Sequence, residues 1–469
     1  MFYCREQELN KLNKRYNDGK FECVVIYGRR RVGKTALINE FCKDKPAIMF
    51  SALNSTSSEN LEALSKSIYQ YKNPDSTGEA APIYPDYDAA LQEITKLAES
   101  ERLIFVIDEY PYLAKAEKSI SSRLQHIIDH IWQQGKLFVI LCGSSMSFME
   151  YQVLGYESPL YGRRTAQFKI QALTYKEIVA FNPKLTAEQQ SLIYGITGGI
   201  PHYINKLNVT DSIDSALLEN LFDSSGYLFE EPENLLKQEL REPAVYNSII
   251  TAIAGGASRA NEISTKVGIE SAKCAKYINV LLDLGILKRE TPITEKEGKK
   301  TIYSIGDNFF RFWYRFVLEN NALIARGAAD LAYNRIKPHL SDYMGKVFED
   351  ICTQYLWKLL LTDHSPVQFA SLGRWWGNKT KPNSQTEIDI MGVQDRNTAL
   401  FAECKWTNEK VDLGVLDTLV ERSRLFGYRN VQLYLFAKNG FTKGCVERAA
   451  EMGNVVLVTY GDMVKNVMC

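Results

Sequence analysis

The chain has 469 residues, which is too long for one hydrophobic core and fits roughly two to four domains. Hydrophobic residues make up 45% and charged residues 24%, so the disordered, collagen-like and coiled-coil classes are excluded. Lysine plus arginine and aspartate plus glutamate both total 56, so no overall basic field indicates a nucleic-acid partner. Any basic surface must be local.

Cysteine usage and hydropathy indicate the cellular compartment. The nine cysteines are scattered from Cys4 to Cys469 without a C-x-x-C pair, so neither a zinc site nor a disulfide framework is indicated. No apolar run approaches the roughly 18 to 20 residues that span a bilayer. We therefore expect a cytoplasmic protein with no membrane partner.

The clearest motif follows a short apolar strand and precedes a helical pattern with Leu37, Ile38 and Phe41 on one face. It matches G-x-x-x-x-G-K-[ST] in the strand-to-helix context that this motif requires. In such a loop the backbone N–H groups and the helix start cradle phosphates, the lysine reaches the β and γ phosphates, and the hydroxyl ligates Mg²⁺. The motif predicts an ATP and Mg²⁺ site formed by Gly28, Arg29, Arg30, Arg31, Val32, Gly33, Lys34, Thr35 and Ala36.

Two further apolar strands end in polar residues. The strand 103–110 ends its apolar run at Asp108 and Glu109, and the carboxyl end of a strand is where an open α/β sheet binds its ligand. Asp108 is expected to hold Mg²⁺ and Glu109 to act as the general base on the attacking water. The strand 137–145 ends in small polar residues, of which Ser144 or Ser145 either senses the γ-phosphate or belongs to a simple turn.

These residues resemble the AAA+-like P-loop ATPases of the archaeal and bacterial type, close to the signalling STAND group. The resemblance extends to Arg5-Glu6, which looks like the family's adenine-side box, and to the segments 159-PLYGRRT-165 and 197-TGGIPHYI-204. Cys4 stands where the family usually has glycine.

The resemblance also implies roles for three further residues. Arg163 and Arg164 look like the arginine-finger position, which in such ATPases serves the nucleotide of a neighbouring subunit or domain. His202, in the segment similar to the family's GxP element, is implied to approach the nucleotide. A homo-oligomer is therefore implied as well.

The middle of the chain has the rhythm of a winged helix-turn-helix. A polar turn joins two short strands after three helices, and Lys273 and Lys276 fall on the solvent side of the third helix. Residues 244–305 hold nine Lys or Arg against six Asp or Glu, and DNA contact needs such cations. Double-stranded DNA contact and simple protein packing both remain open. The expected helices are 245–256, 260–268 and 271–287. The expected strands are 286–290 and 301–305.

Aromatic residues are dense in 306–317. Stacking on bases is one interpretation. Core packing is favoured, because Phe309, Phe310, Trp313 and Phe316 recur at three- and four-residue steps.

The segment 387–406 reads as two apolar strands that carry charge at inward positions. With a turn at Asp395-Arg396-Asn397, in which Asn397 tolerates a left-handed backbone, cross-strand partners have numbers that sum to 792. Asp389 then lies opposite Glu403 and Glu387 opposite Lys405, all on one face. Two facing carboxylates repel unless a cation lies between them, and a divalent metal would supply it.

This hairpin resembles the PD-(D/E)xK nuclease superfamily, with Asp389 as the first acid and Glu403-Cys404-Lys405 as the second half. The resemblance implies that Asp389 and Glu403 bind Mg²⁺ and that Lys405 orients the attacking water. It also implies a helical glutamate, matched here by Glu349. The other interpretation is a salt-bridged edge hairpin that pairs Glu387 with Lys405.

The expected fold class is α/β and multidomain. The domains predicted are a P-loop ATPase core at 1–170, a helical lid at 171–240, a winged helix at 241–320 and a nuclease-like domain at 321–469. This combination resembles a family whose appended domain has no known function. The leading hypothesis is an ATP-hydrolysing protein that acts on DNA, and the alternative is a STAND-like regulatory switch whose last domains only bind.

Overall fold

The chain divides into two units according to its internal contacts. The computed structural model describes residues 3–76, 81–298, 300–378 and 385–465. One unit contains the chain up to Leu173 together with Ile200–His202. The other contains Thr174–Gly199 and the chain from Tyr203 onward. The finer division into four domains stays a prediction.

The first unit is built on a five-stranded, all-parallel sheet with strand order β2-β3-β4-β1-β5. Every residue of β1, β3 and β4 is buried, which is why these strands read as continuous apolar runs. This confirms the α/β class and the parallel sheet typical of P-loop proteins. The strands are β1 Glu22–Tyr27, β2 Ala47–Ser51, β3 Ile104–Asp108, β4 Phe138–Gly143 and β5 Ala166–Lys169.

In the described part of this unit, six α-helices accompany the sheet. Leu37, Ile38 and Phe41 are buried on the second of them, as the spacing predicted. A π-helical turn follows β4 at Phe148–Val153. The helices are α1 Glu6–Asn17, α2 Lys34–Cys42, α3 Ser57–Lys72, α4 Tyr87–Ser100, α5 Tyr110–Ala116 and α6 Ile120–His130.

The second unit starts with helices and a hairpin. The three helices and two strands expected between residues 245 and 305 are present, and the strands β6 Leu287–Glu290 and β7 Ile302–Ile305 pair antiparallel. The helices are α7 Ala187–Thr197, α8 Pro201–Leu207, α9 Ile213–Leu221, α10 Glu231–Glu239, α11 Pro243–Ala254, α12 Ala260–Val267 and α13 Ser271–Asp283.

One detail of the third expected helix is wrong. Helical spacing predicts Ala275 on the apolar face with Ile278 and Leu281, but Ala275 is exposed. Small alanine fits either face of a helix, so spacing alone does not orient it. Lys273 and Lys276 are exposed, as expected. The buried residues of α13 are Cys274, Tyr277, Ile278 and Leu281.

The aromatic segment after β7 is core. The four aromatic side chains are at most 4% exposed, and Trp313 Nε1 donates a hydrogen bond of 2.6 Å to the Phe229 carbonyl. The packing interpretation is therefore confirmed. The remaining helices before the second sheet are α14 Asn308–Phe312, α15 Asn321–Ile324, α16 Ala329–Ile336 and α17 Leu340–Leu361, with a π-helical turn at Trp313–Val317.

The second unit ends in a five-stranded mixed sheet with strand order β12-β11-β10-β9-β8. Strands β8, β9 and β10 are antiparallel, whereas β10, β11 and β12 are parallel. The strands are β8 Leu372–Asn378, β9 Gln385–Val393, β10 Thr398–Lys405, β11 Asn430–Ala437 and β12 Val455–Thr459, and the helices are α18 Leu413–Ser423, α19 Lys443–Met452 and α20 Tyr460–Lys465.

The predicted register of the β9–β10 hairpin is confirmed. Phe401 pairs with Met391 and Ala402 with Ile390, so partner numbers sum to 792 as expected. The turn differs in detail, because Asn397 is not among the residues with a left-handed backbone. Instead, the Asp395 carboxylate accepts hydrogen bonds from the backbone N–H groups of Asn397 and Thr398, at 2.7 and 2.8 Å.

Candidate functional site

The glycine-bounded loop between β1 and α2 needs its glycines for geometric reasons. A Cβ atom at Gly28 would lie 2.4 Å from the Ile170 carbonyl oxygen, so no side chain fits there. Gly33 caps α2 with φ +93°, a left-handed conformation that glycine adopts without strain. Arg31, inside the loop, also has a positive φ of 72°, which L residues rarely adopt. The loop is thus a tight, preformed turn.

Lys34 and Thr35 begin α2 at the mouth of this loop. The Lys34 ammonium donates hydrogen bonds to the carbonyls of Gly28 at 2.9 Å and Arg29 at 3.0 Å. Burial lowers the pKa of Lys34, while nearby Cys142 and the carboxyls of β3 oppose that shift. Thr35 Oγ1 donates to Asp108 Oδ2 at 2.9 Å. The Thr35 hydroxyl, the Asp108 carboxylate and the Lys34 ammonium therefore lie together at the carboxyl edge of the sheet.

The remaining loop residues shape this edge. Arg30 donates a 2.6 Å hydrogen bond to the Tyr112 hydroxyl, and Val32 is buried. Ala36 is exposed in the first turn of α2.

The acid pair at the end of β3 lies on the same edge, because β4 alone separates β3 from β1. Asp108 is buried and accepts a hydrogen bond from the Glu109 backbone N–H at 2.9 Å. Glu109 has a left-handed backbone with φ +50°. Its carboxylate accepts hydrogen bonds from Ser144 Oγ at 2.9 Å and from Ser144 N at 3.4 Å. The structure therefore brings Ser144 to Glu109.

Arg5 is nearly buried behind the phosphate-binding loop. Its guanidinium donates to the Val32 carbonyl at 3.4 Å and also to the Gln171 carbonyl. Cys4 has a left-handed backbone with φ +54°, which explains why glycine suits this position in the resembling family. Arg5 thus connects the loop to the segment after β5.

Arg163, Arg164 and His202 occupy different surroundings. The Arg163 guanidinium binds Asp129 with two hydrogen bonds of 3.1 and 2.8 Å. Arg164 donates to the Leu154 carbonyl at 3.3 Å. His202 falls in the short piece Ile200–His202 that belongs to the first unit.

A second cluster of charge lies in the β9–β10 hairpin. Asp389 is 9% exposed and Glu403 is 5% exposed. Asp389 Oδ2 accepts a 2.8 Å hydrogen bond from the Cys404 backbone N–H. Glu403 accepts 2.8 Å hydrogen bonds from Lys405 Nζ on one oxygen and Arg422 Nη1 on the other. Glu403 is thus fully paired, whereas Asp389 binds only a neutral donor among these contacts.

Burial and like charge act together on Asp389. Burial is the main cause that raises its pKa to about 7, and the carboxyls of Glu403 and then Glu349 raise it further. The Cys404 N–H and the Lys405 ammonium oppose the shift without cancelling it. Asp389 therefore titrates near neutral pH.

The predicted pairing of Glu387 with Lys405 is wrong. Glu387 is 54% exposed and accepts a 2.9 Å hydrogen bond from Arg374 Nη2 on β8, while Lys405 pairs with Glu403. Strand β9 lies between β8 and β10, so Glu387 can pair with a side chain on either neighbour, and it pairs with Arg374 on β8. Glu349 also faces Arg374, at 3.9 Å from its Nε.

Sequence reasoning missed Arg422 and Arg374. Arg422 contacts Glu403 from the helix at 413–423, and Arg374 contacts Glu387 from the strand at 372–378. In the sequence, only the helix pattern and the aromatic strand indicate these elements. Within the described ranges, no group of three or more His, Cys, Asp or Glu side chains is placed to hold a metal ion. In that same part of the chain, no helix has the length and apolar character to cross a bilayer.

The preformed loop, the adjacent acid pair and the parallel sheet define the class of the amino-terminal unit, which is a P-loop NTPase. Residues 2–207 match a family described as an ATPase domain predominantly from Archaea. Residues 313–415 match a family described as archaeal and bacterial proteins of unknown function. The amino-terminal part of the chain is therefore an ATPase domain.

One relative extends this similarity over most of the chain. An uncharacterized protein of Methanocaldococcus jannaschii is 32% identical over 440 residues, which cover 92% of this chain and 94% of that protein. The chain therefore belongs to this archaeal-type ATPase family. An uncharacterized ATP-binding protein of the same organism is 47% identical over 45 residues, which are 10% of this chain and 76% of that protein.

A solved structure shares the fold. The Walker-type ATPase of Pyrococcus abyssi matches with a TM-score of 0.53 at 21% identity, over 67% of this chain and 96% of that chain. At this identity the likeness concerns the fold alone.

Proposed function

We propose that the loop 28–35 binds ATP with Mg²⁺ and that the acid pair after β3 hydrolyses it. The observation that carries this proposal is the Thr35–Asp108 hydrogen bond of 2.9 Å beside the Lys34 ammonium. A hydroxyl and a carboxylate are the oxygen ligands that Mg²⁺ prefers, and the bound ion would offset phosphate charge. Lys34 would exchange the carbonyls of its own loop for the β and γ phosphates.

Glu109 is the proposed general base. Its carboxylate takes a proton from the attacking water, whose oxygen bonds to the γ-phosphorus as the bond to the bridging oxygen of ADP breaks. In the present structure Ser144 holds this carboxylate, so hydrolysis requires Ser144 to release it or to turn with it. Arg163 would serve a neighbouring copy only after leaving Asp129, and the proposed homo-oligomer depends on that exchange.

We propose that the protein acts on double-stranded DNA through residues 243–305. Three helices followed by an antiparallel hairpin have the element order of a winged helix, and the third helix exposes Lys273 and Lys276. The seven described cysteines from Cys23 to Cys445 form no disulfide, which agrees with the reducing cytoplasm proposed as the protein's location.

The test is a turnover assay on the full chain with ATP, Mg²⁺ and duplex DNA, each omitted in turn. We expect no hydrolysis without Mg²⁺ and faster hydrolysis with DNA than without it. Slow hydrolysis whose rate does not change at any DNA concentration would favour the alternative, a STAND-like switch whose last domains only bind. The lysine pair supplies a control, since Lys273→Gln with Lys276→Gln should weaken the DNA effect and leave the DNA-free rate unchanged.

A second candidate function belongs to the carboxyl-terminal sheet, which we propose to be nuclease-like. The buried pair Asp389 and Glu403 favours it, because Mg²⁺ is commonly bound by one or two carboxylates together with substrate phosphates. Glu349 would complete the acidic surroundings, and Lys405 would orient the attacking water. Lys405 and Arg422 neutralise Glu403 while the ion is absent.

Asp389→Asn tests this second site through stability. The folded protein keeps the Asp389 proton up to about pH 7, whereas an ordinary carboxyl at 3.8 loses it, so the stability of the parent falls as pH rises from the lower value to the higher. Asp389→Asn should flatten that part of the pH profile. In a Lys34→Ala background, Mn²⁺ should raise the melting temperature more above the pKa of Asp389 than below it, because the metal competes with the proton.

The control for this experiment is Asp395→Asn, which changes an exposed acid in the same hairpin and keeps an acceptor for the turn. It should leave the Mn²⁺ shift and the part of the pH profile between 3.8 and about 7 unchanged, because the hydrogen bond from the Asn397 N–H lowers the pKa of Asp395 and its own effect falls at more acidic pH. Lys405→Ala should keep the Mn²⁺ shift and lose any DNA cleavage, because lysine does not ligate the ion. A Mn²⁺ shift that persists in Asp389→Asn would exclude this pair as the metal site.

A further inference from the structure

A cavity of about 330 Å³ lies inside the second unit, between the β6–β7 hairpin, the aromatic segment, α17 and β8. Five cations and one acid line it in the described part of the chain, and carboxylates outside the lining also pair with these cations, namely Asp342, Glu349, Asp350 and Glu387. Among the lining residues that the structure describes, Glu290 is the one acid, and it accepts a 2.9 Å hydrogen bond from Ser304. The lining cations come from four separate elements and are Lys288, Arg311, Arg315, Lys346 and Arg374.

Two of these cations retain unused hydrogen-bonding capacity. Lys288 Nζ lies 3.5 Å from Glu290 Oε1 and 3.6 Å from Asp350 Oδ1, longer than the roughly 2.7 to 2.9 Å of a charge-assisted hydrogen bond. Arg374 Nε is buried and has no hydrogen-bond partner among the described residues. The guanidinium binds Glu387 through Nη2 at 2.9 Å, whereas Nε lies 3.9 Å from the Glu349 carboxylate, too far for a hydrogen bond. An anion in the cavity would satisfy both donors.

Arg374 also places the cavity next to the Asp389 pair. It lies in an irregularity of β8, between the pairs Gly373–Met391 and Trp375–Ile388, so its backbone runs beside Asp389 on β9. Such irregularities re-aim a side chain out of the regular pleat. The guanidinium therefore bridges from the acidic hairpin to the basic cavity.

From these observations we infer that the cavity binds a backbone phosphate of a nucleic acid whose strand continues to the Asp389 and Glu403 carboxylates. A phosphodiester offers the oxygen acceptors that guanidinium and ammonium groups pair with, and it repeats along the strand. The inference rests on the proposed action on nucleic acid and adds the place where the backbone is held. Arg374 would contact the phosphate on one side and keep Glu349 at the metal side on the other.

The test measures binding of the full chain to a short fluorescein-labelled DNA duplex by fluorescence anisotropy over a range of salt concentrations. The variant is Lys288→Gln with Lys346→Gln, which removes two cavity charges and keeps polar side chains of similar length. The slope of log K against log salt should become shallower by about 2, with affinity falling alike for unrelated sequences. The matched control is Lys237→Gln with Lys443→Gln, two exposed lysines outside the cavity lining that each lie near a glutamate. It should keep the parent slope, and circular dichroism melting should show that both double variants fold.

Three outcomes would overturn the inference in distinguishable ways. If the parent binds DNA and the cavity variant binds it with the same slope, the cavity is not the phosphate site, although action on DNA survives. If the parent binds no DNA, the proposed action on nucleic acid fails, and this inference fails with it. If inorganic phosphate raises the melting temperature of the Lys34→Ala protein, and the cavity changes erase that rise without altering DNA binding, the site takes a free phosphate compound.

Discussion

Lys34→Ala should weaken ATP binding by about 100-fold or more, the loss expected when a charge-assisted contact to phosphate disappears. The reason is geometric. The buried Lys34 holds its ammonium within 3.0 Å of two loop carbonyls, and the phosphate oxygens would replace those carbonyls as its acceptors. Isothermal titration calorimetry with ATP and Mg²⁺ measures the loss directly.

The control for this variant is Lys96→Ala, which removes an exposed lysine from α4 in the same unit. It should bind ATP as the parent does. Thr35→Ala should lose less ATP affinity than Lys34→Ala, since the Asp108 carboxylate remains as one oxygen ligand. Equal ATP affinity in the parent and Lys34→Ala would mean that the loop does not hold the phosphates.

Glu109→Gln should bind ATP with parental affinity and hydrolyse it roughly 10²- to 10⁴-fold more slowly, the range usually attributed to a general base. Glutamine keeps the shape and can still accept the Ser144 hydrogen bond, but it cannot take the proton of water. Thr35 and Asp108 bond to each other, and Asp108 contacts Glu109 at its backbone N–H, which the substitution keeps, so both residues would still hold the ion. Single-turnover hydrolysis separates this chemical step from product release.

Glu99→Gln serves as the matched control, because it makes the same chemical change at an exposed helix position. Its turnover should equal that of the parent. Ser144→Ala adds a second readout: if Ser144 restrains Glu109, the single-turnover rate should change while ATP affinity stays unchanged. Parental single-turnover rates in Glu109→Gln would remove this residue from the mechanism.

The nucleotide-binding end of the protein could be predicted closely, since its signals are local. Gly28 and Gly33 are the first and sixth residues of an eight-residue motif whose backbone geometry follows from its own sequence. Asp108 ends a strand that is otherwise apolar. The β9–β10 register was also predictable, because one turn sets the pairing of a whole hairpin. These features could be predicted because they depend on residues that are close together in the sequence.

The partners of the charged side chains depended on elements far away in the sequence. Arg422 reaches Glu403 from α18, and Arg374 draws Glu387 toward β8, so the expected Glu387–Lys405 pair does not form. Ser144 meets Glu109 only because β3 and β4 are neighbours in the sheet. No periodic pattern in the sequence indicates these three contacts.

What the sequence by itself determined was the kind of chemistry at the amino terminus, an ATPase loop with an acid pair, because those residues must stand at fixed short spacing. The tertiary structure alone decided which carboxylates are neutralised and which stays unpaired. Glu403 receives two cations, while Asp389 is buried beside like charge and its pKa rises to about 7. The physical reason is that burial and ion pairing are properties of the folded surroundings, which bring together side chains separated by tens of residues.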